Sequence, residues 1–252
     1  MKRNWQNIIL RVMSLIAFGA FFTLTFMSFK HGQLQANTDA KIDINYHHGH
    51  TFINKEIVRN KINEFVSDSN IVKASSLSQL ENYLQTHPHI QKAYVFIDSK
   101  GKLHVDIEQI NPIARVLTNE GNSYYVDDRM IKIPTSEIYT AKVPVLTGYI
   151  SETLSDNDTV HTKELKSLIK IIEIASEDEY WSAQVAQLDI NSDGEIYLIP
   201  RLGQHLVTLG DSTNINDKLK KLEVFYESVS QKAGWDAFSN IDVQYKNQIV
   251  CK

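Results

Sequence analysis

Residues 77–116 read LSQLENYLQTHPHIQKAYVFIDSKGKLHVDIEQINPIARV, and two periodicities meet in them. Leu77, Leu80 and Leu84 recur at the three-and-four spacing that places side chains on one face of a helix. Ser78 and Glu81 fit a capping box at its start. Pro88 ends it, because the residue before a proline is pushed out of the helical region. From Ala93 the period becomes two. AYVFID leads into a turn at Asp98–Gly101, and Leu103, Val105 and Ile107 then alternate with His104, Asp106 and Glu108. That pattern predicts a β-hairpin with one buried face.

Working outward toward the N-terminus, Ile42, Ile44 and Tyr46 alternate with Asp43 and Asn45, as in a half-buried strand. Asn54 is placed to cap a helix whose buried face is Val58, Ile62 and Phe65. The order strand, helix, helix, strand, strand predicts a small α+β unit over residues 41–110, with helices on one face of a sheet. Beyond Asn111-Pro112 the chain turns strand-rich. NSYYVDDRMIKIP and VPVLTG read as strands, VAQLDI–NSDG–EIYLIP as a hairpin about Asn191–Gly194, and HLVTLG and IDVQY as further strands. Helices are expected near Thr162–Ser176, with Leu165, Leu168, Ile169 and Ile172 inward, and near Ile215–Val229, with Ile215, Leu219, Leu222, Tyr226 and Val229 on one face. Residues 111–252 are therefore expected to form a second, mixed α+β domain dominated by an antiparallel sheet.

The segment 12–29, VMSLIAFGAFFTLTFMSF, carries no charged residue. Its helix would be about 27 Å long, close to the hydrocarbon thickness of a bilayer. Lys2, Arg3 and Arg11 precede it, so the positive-inside bias places residues 1–11 in the cytoplasm and the bulk of the chain outside. The segment is longer than the apolar region of a cleaved signal peptide, and no small-x-small site follows Phe29 directly. A single uncleaved transmembrane helix is expected, joined by a polar linker at 30–40 to the extracytoplasmic domains. Its one glycine, Gly19, makes no Gly-x-x-x-Gly pairing motif.

The first 30 residues hold four of the chain's 26 basic residues and no acidic one, so the remainder carries 22 basic against 30 acidic residues, a net charge of −8. A phosphate-binding surface needs a concentrated basic face, which argues against nucleic acid as a partner. The one cysteine, Cys251, has no partner for an internal disulfide, and packing must hold the fold.

Motifs for chemistry are weak. His47, His48 and His50 lie at a strand-to-helix turn without a nearby acidic or thiol ligand, and read as a solvated turn, as do His87 and His89. Asp189–Gly194 opens like a calcium loop, but its twelfth position is Pro200, and the flanks alternate as strands. There is no Gly-x-Ser-x-Gly, no Ser-x-x-Lys and no phosphate-cradling glycine loop. No catalytic residue, metal site, cofactor or small-molecule substrate is expected, and a binding role leads.

The order of elements, with the anchor first, resembles the bacterial cell-division family FtsQ/DivIB. The resemblance is carried by residues 77–116 and by YYVDDRMIKIP (124–134), VPVLTG (143–148), VTLGD (207–211) before KLKKL (218–222), and IDVQYKNQIV (241–250). It implies a POTRA-type first domain, an FtsQ-type β domain, and a non-enzymatic bitopic scaffold of the inner membrane at the division septum. Such a scaffold recruits small bitopic proteins of the FtsB and FtsL type and influences septal peptidoglycan synthesis. By the same resemblance, a partner strand adds at the last strand of the second domain, which here matches Ile241, Asp242, Val243, Gln244 and Tyr245, followed by Lys246 and Asn247. A rival reading is a POTRA-bearing chaperone factor in envelope protein export, opposed by the single such unit and single anchor. Another is a membrane-tethered hydrolase, which a deep pocket of convergent polar groups would favour.

Overall fold

The computed structural model describes residues 13, 18–21, 23, 35–46, 49–66, 71–156 and 158–252. Most of segment 12–29 lies outside the described residues, as do His47 and His48; among the described residues no helix is long and apolar enough to cross a membrane. The chain is a mixed α+β protein whose described residues divide into two compact units. One ends at Asn45 and resumes over Ile53–Gln109; the other comprises Tyr46–Phe52 and Ile110–Lys252.

In the first unit, β1 (Gln35–Asn37) pairs with β3 (Ile71–Lys73), a short ribbon that no sequence pattern announces. The main sheet is three-stranded, with β5 (Leu103–Gln109) between β2 (Lys41–Asn45) and β4 (Ile90–Ile97). β2 runs parallel to β5 because the chain crosses over through α1 (Lys55–Val66) and α2 (Leu77–Gln85); β4 and β5 form the expected hairpin. Val58 and Ile62 of α1 and Leu80 and Leu84 of α2 are buried with Ile42, Val95 and Val105. Asn54 caps α1, its Oδ1 accepting from the Ile57 N–H at 2.9 Å.

The capping box at Ser78 and Glu81 does not form. The helix starts at Leu77, two residues too early for Ser78 to stand at its cap, and the cap position, Ser76, makes no side-chain cap bond. Glu81 is used elsewhere: its Oε1 accepts the Val95 N–H at 2.8 Å, covering a backbone donor of the edge strand β4.

The second unit is built on nine strands: β6 (Pro112–Leu117), β7 (Ser123–Asp127), β8 (Lys132–Pro134), β9 (Val145–Gly148), β10 (Val185–Ile190), β11 (Ile196–Pro200), β12 (Leu206–Gly210), β13 (Asn240–Asp242) and β14 (Val250–Cys251). Their order in the sheet is β14-β13-β12-β11-β10-β9-β6-β7-β8. Antiparallel pairing dominates, with parallel joints at β6–β9, β9–β10 and β12–β13. Two of these joints are crossovers, one through α3 (Lys163–Ser176) and α4 (Glu179–Gln184), the other through α5 (Ile215–Phe225). The crossovers bring Leu165, Leu168, Ile169 and Ile172 of α3 and Leu219 and Leu222 of α5 into one core with Leu146, Leu188, Leu198, Val207 and Ile241. The last helix ends at Phe225 rather than Val229, because a π-helical turn at Tyr226–Ser230 interrupts it. At Gly148, φ is +98° and a Cβ would stand 2.1 Å from the Ile190 carbonyl oxygen, so only glycine fits this joint between β9 and β10.

Two histidine readings change. His50 is buried, with Nδ1 3.1 Å from the Tyr139 hydroxyl and its ring against Phe52, which forms a satellite core of the second unit with Tyr125 and Ile133. His89 is buried as well, and desolvation holds His87 at about 4. Around His50 the packing partner Tyr139 lies far along the chain, which a local reading of turn residues cannot see.

Inside the second unit, Lys132 and Glu152 form an ion pair at 3.1 Å with both side chains inaccessible. Glu152 Oε2 also accepts from the Thr162 hydroxyl at 2.6 Å and from the Thr162 N–H at 3.0 Å, and Oε1 accepts from the His161 N–H at 3.1 Å. Burial pushes this carboxyl up, but the Thr162, Lys132 and His161 bonds outweigh it and hold it below its ordinary value. The carboxylate thus binds orphan N–H groups at the start of α3, where the helix dipole favours negative charge. Glu152→Ala, which leaves Lys132 buried and unpaired, is expected to cost about 3–5 kcal/mol in urea unfolding. The double change with Lys132→Met should recover a large part of that loss.

Candidate partner-binding edge

Past β12 the chain turns at Gly210, runs down α5, passes the loop 234–239 and re-enters the sheet as β13. Leu206, Val207 and Thr208 pair in parallel with Asn240, Ile241 and Asp242. The parallel ladder continues one step beyond the strand, where the Val243 N–H donates to the Thr208 carbonyl at 3.0 Å. Ile241 and Val243 are 1% and 0% exposed and belong to the core, whereas Tyr245 is 46% exposed.

Lys221 of α5 takes over where β12 leaves. Its Nζ donates to the carbonyls of Val243, at 2.6 Å, and Tyr245, at 2.5 Å. An ammonium replaces the strand that would otherwise supply N–H donors, so residues 243–245 stay in place beside the sheet. Desolvation first, and the neighbouring Lys218 second, lower the Lys221 pKa. Lys218 is itself buried, and its Nζ donates to the Asp211 Oδ1 at 2.8 Å and the Asp211 carbonyl at 2.9 Å. The bonds from Lys218 and Thr213 draw the Asp211 carboxyl down to about 2. Between α5 and residues 244–249 lies a groove of about 850 Å³, with Val224, Phe225 and Ile249 as apolar lining and Lys218, Lys220, Lys221 and Lys246 as its cations. Tyr245 is followed by a turn in which Asn247 takes φ +63°.

The residues expected at the site therefore divide. Asp242, Gln244, Tyr245, Lys246 and Asn247 reach the surface or half-buried positions, while Ile241 and Val243 point into the core. The expectation that Ile241–Tyr245 form the outermost strand is corrected. β13 covers only Asn240–Asp242, and β14 pairs antiparallel outside it, Ile241 opposite Cys251 and Asp242 opposite Val250. The polar turn at 245–248 reverses the chain and brings Val250 back alongside. A two-residue strand leaves no readable alternation in the sequence. Lys221 was also missed, since a lysine on a helix reads as solvated.

The approach to β13 is fixed from behind by His205, which is 2% exposed. Its Nδ1 lies 3.2 Å from the Trp235 carbonyl, which can only accept, so this nitrogen carries the proton. Nε2 then accepts from the Tyr226 hydroxyl at 2.7 Å.

Residues 111–252, more than half of the chain, match the family model described as FtsQ/DivIB, C-terminal related. The chain belongs to that family. It is a family of cell-division proteins. No curated protein matched the chain.

His205 makes the second unit acid-sensitive. Burial lowers its pKa in the fold, with the Trp235 bond and Asp236 opposing. The folded state therefore binds the proton less readily than the unfolded chain. Stability is full above the unfolded value of about 6.5 and falls as pH drops from there toward the lower folded value. Thermal melts between pH 8 and pH 5 should show this slope, and His205→Gln should flatten it.

Proposed function

We propose that this protein is a bitopic scaffold of the bacterial division machinery. The segment 12–29 is its single membrane helix, with residues 1–11 in the cytoplasm. A linker at 30–40, whose Gln35–Asn37 pair into the first unit as β1, and a POTRA-like unit at 41–110 follow, and the domain at 111–252 engages partners at the septum. The observation that carries this reading is the match of residues 111–252 to the FtsQ/DivIB family. The partners are small bitopic proteins of the FtsB and FtsL type, and their recruitment regulates septal peptidoglycan synthesis.

The site of capture is the sheet end around β13. A sheet edge recognises an extended segment through its backbone, and side-chain contacts add the selectivity. Each backbone bond contributes about 0.5–1.5 kcal/mol net, so a handful gives specific but modest affinity. Tyr245 is exposed beside this edge, and Val224, Phe225 and Ile249 line the adjacent groove with lysines around them. A partner segment with an apolar face and acidic flanks matches that lining.

Depletion in the native host, with imaging of a tagged copy, tests the role. Filamentous cells with the protein at midcell are expected; normal division with an envelope-transport defect overturns it in favour of an export factor. At residue level, Tyr245→Glu is expected to weaken capture of the FtsB-type partner by about tenfold or more while the protein stays folded. Site-specific crosslinking from 243–247 that returns no division protein removes the site assignment.

A further inference from the structure

In a strand, successive backbone groups face opposite sides, so β13 presents alternate residues to each neighbour. Val243 donates inward, to Thr208 of β12. The residues facing outward are Asn240, Asp242 and Gln244, and each is already engaged. The Asn240 N–H donates to the Lys252 carbonyl at 3.2 Å, and the Lys252 N–H donates back to the Asn240 carbonyl at 3.0 Å. Asp242 lies opposite Val250. The Gln244 N–H donates to the Asp242 Oδ1 at 3.0 Å. Three rungs therefore face the side where a partner strand adds: β14 and its flank occupy two, and the Asp242 carboxylate caps the third.

β14 is a poor template for a further strand. It has two residues, and the same alternation turns only Cys251 away from β13 within it. Its hold on the core is slight, since Ile249 and Cys251 are only partly buried and Val250 is exposed. By contrast, residues 243–245 are held by Lys221 through bonds that involve no residue of β14. Removing β14 would expose an edge already set in place from Asn240 to Gln244.

We propose that β14 is an intramolecular stand-in for the partner strand, an autoinhibitory contact that must leave β13 before an extended partner segment is captured there. This rests on the strand-addition reading above. The Lys221 clasp keeps 243–245 ready, and the exchange is one strand for another along the same three rungs. The Asp242 carboxylate gives up the Gln244 N–H in the same step, so Gln244 N–H passes from a side-chain to a backbone acceptor.

The test uses the full chain and, as probe, the extracytoplasmic segment of the same cell's FtsB-type protein. Val250→Pro removes the N–H that faces Asp242, at an exposed position where core packing is not at stake. It is expected to speed hydrogen exchange at Asn240 and Asp242 and to tighten probe binding by about tenfold, since capture no longer waits for a minor open state. A second variant closes the edge. Asn240→Cys and Lys252→Cys, with Cys251→Ser, place two thiols on a directly opposed pair whose spacing suits a disulfide. Oxidised, this protein is expected to lose probe binding, and reduction of the same protein is expected to restore it. Equal binding by the oxidised and reduced forms, with Tyr245→Glu still weakening capture, overturns the gate and leaves the scaffold reading intact. Capture that none of these changes alters, Tyr245→Glu included, removes the site and the gate together.

Discussion

An open sheet has two edges, and the backbone groups along each must find partners. The second unit resolves this differently at its two ends. At β8 the edge is short, ends in Pro134, which has no N–H, and is closed by residues 158–160. The Lys132 N–H donates to the Asp158 carbonyl at 2.8 Å, and Ile131 bridges Thr159. The Lys132 side chain turns inward onto Glu152, so this end is tied to the buried ion pair and to the start of α3. The edge at β8 is built to stay shut. At β14 the cover is two residues long, reached through a polar turn, and lies over a strand whose continuation, Val243 and Tyr245, is held by a lysine.

The parallel joints of the sheet follow from a second requirement. Alternation along β9 to β13 leaves one apolar face, and a helix must cover it. Chain that leaves a strand, covers the face and returns must enter parallel to where it left. α3 and α5 do this at β9–β10 and β12–β13, and their leucines and isoleucines meet the sheet in one core. The second crossover also puts Lys221 next to residues 243–245. The clasp is thus a consequence of where α5 must lie.

Much of this was legible in the sequence because it rests on period. The helix faces at Leu80 and Leu84, and at Leu165, Leu168, Ile169 and Ile172, are buried as the spacing of those residues predicts, and the hairpins at Asp98–Gly101 and Asn191–Gly194 stand where their turn residues lie. What escaped were features whose cause is distant in sequence. Glu81 looked like a helix cap and instead serves Val95 of β4. His50 and His89 looked solvated and are buried, His50 against Tyr139, far along the chain. The candidate site shows the same division. Ile241 and Val243 alternate as a strand should, but the placement of β14 outside them depends on a turn at Asn247 and on a pairing too short to leave a pattern.

A strand as short as β14 holds its place because it is tethered. Its backbone bonds are few, and at about 0.5–1.5 kcal/mol net each they amount to a small contribution, reduced further by the entropy of ordering residues 246–252. Its effective concentration at β13, however, is that of a short loop, in the millimolar range for flexible linkers. A free partner segment at micromolar concentration competes poorly with such a tether. In the proposed bitopic arrangement, a partner confined to the same membrane, and offering side chains for the lysine-rimmed groove as well as backbone for the three rungs, competes on better terms. On this account weak self-pairing sets a threshold: it keeps an exposed edge from joining to other edges, and it yields only where backbone, groove and confinement act together.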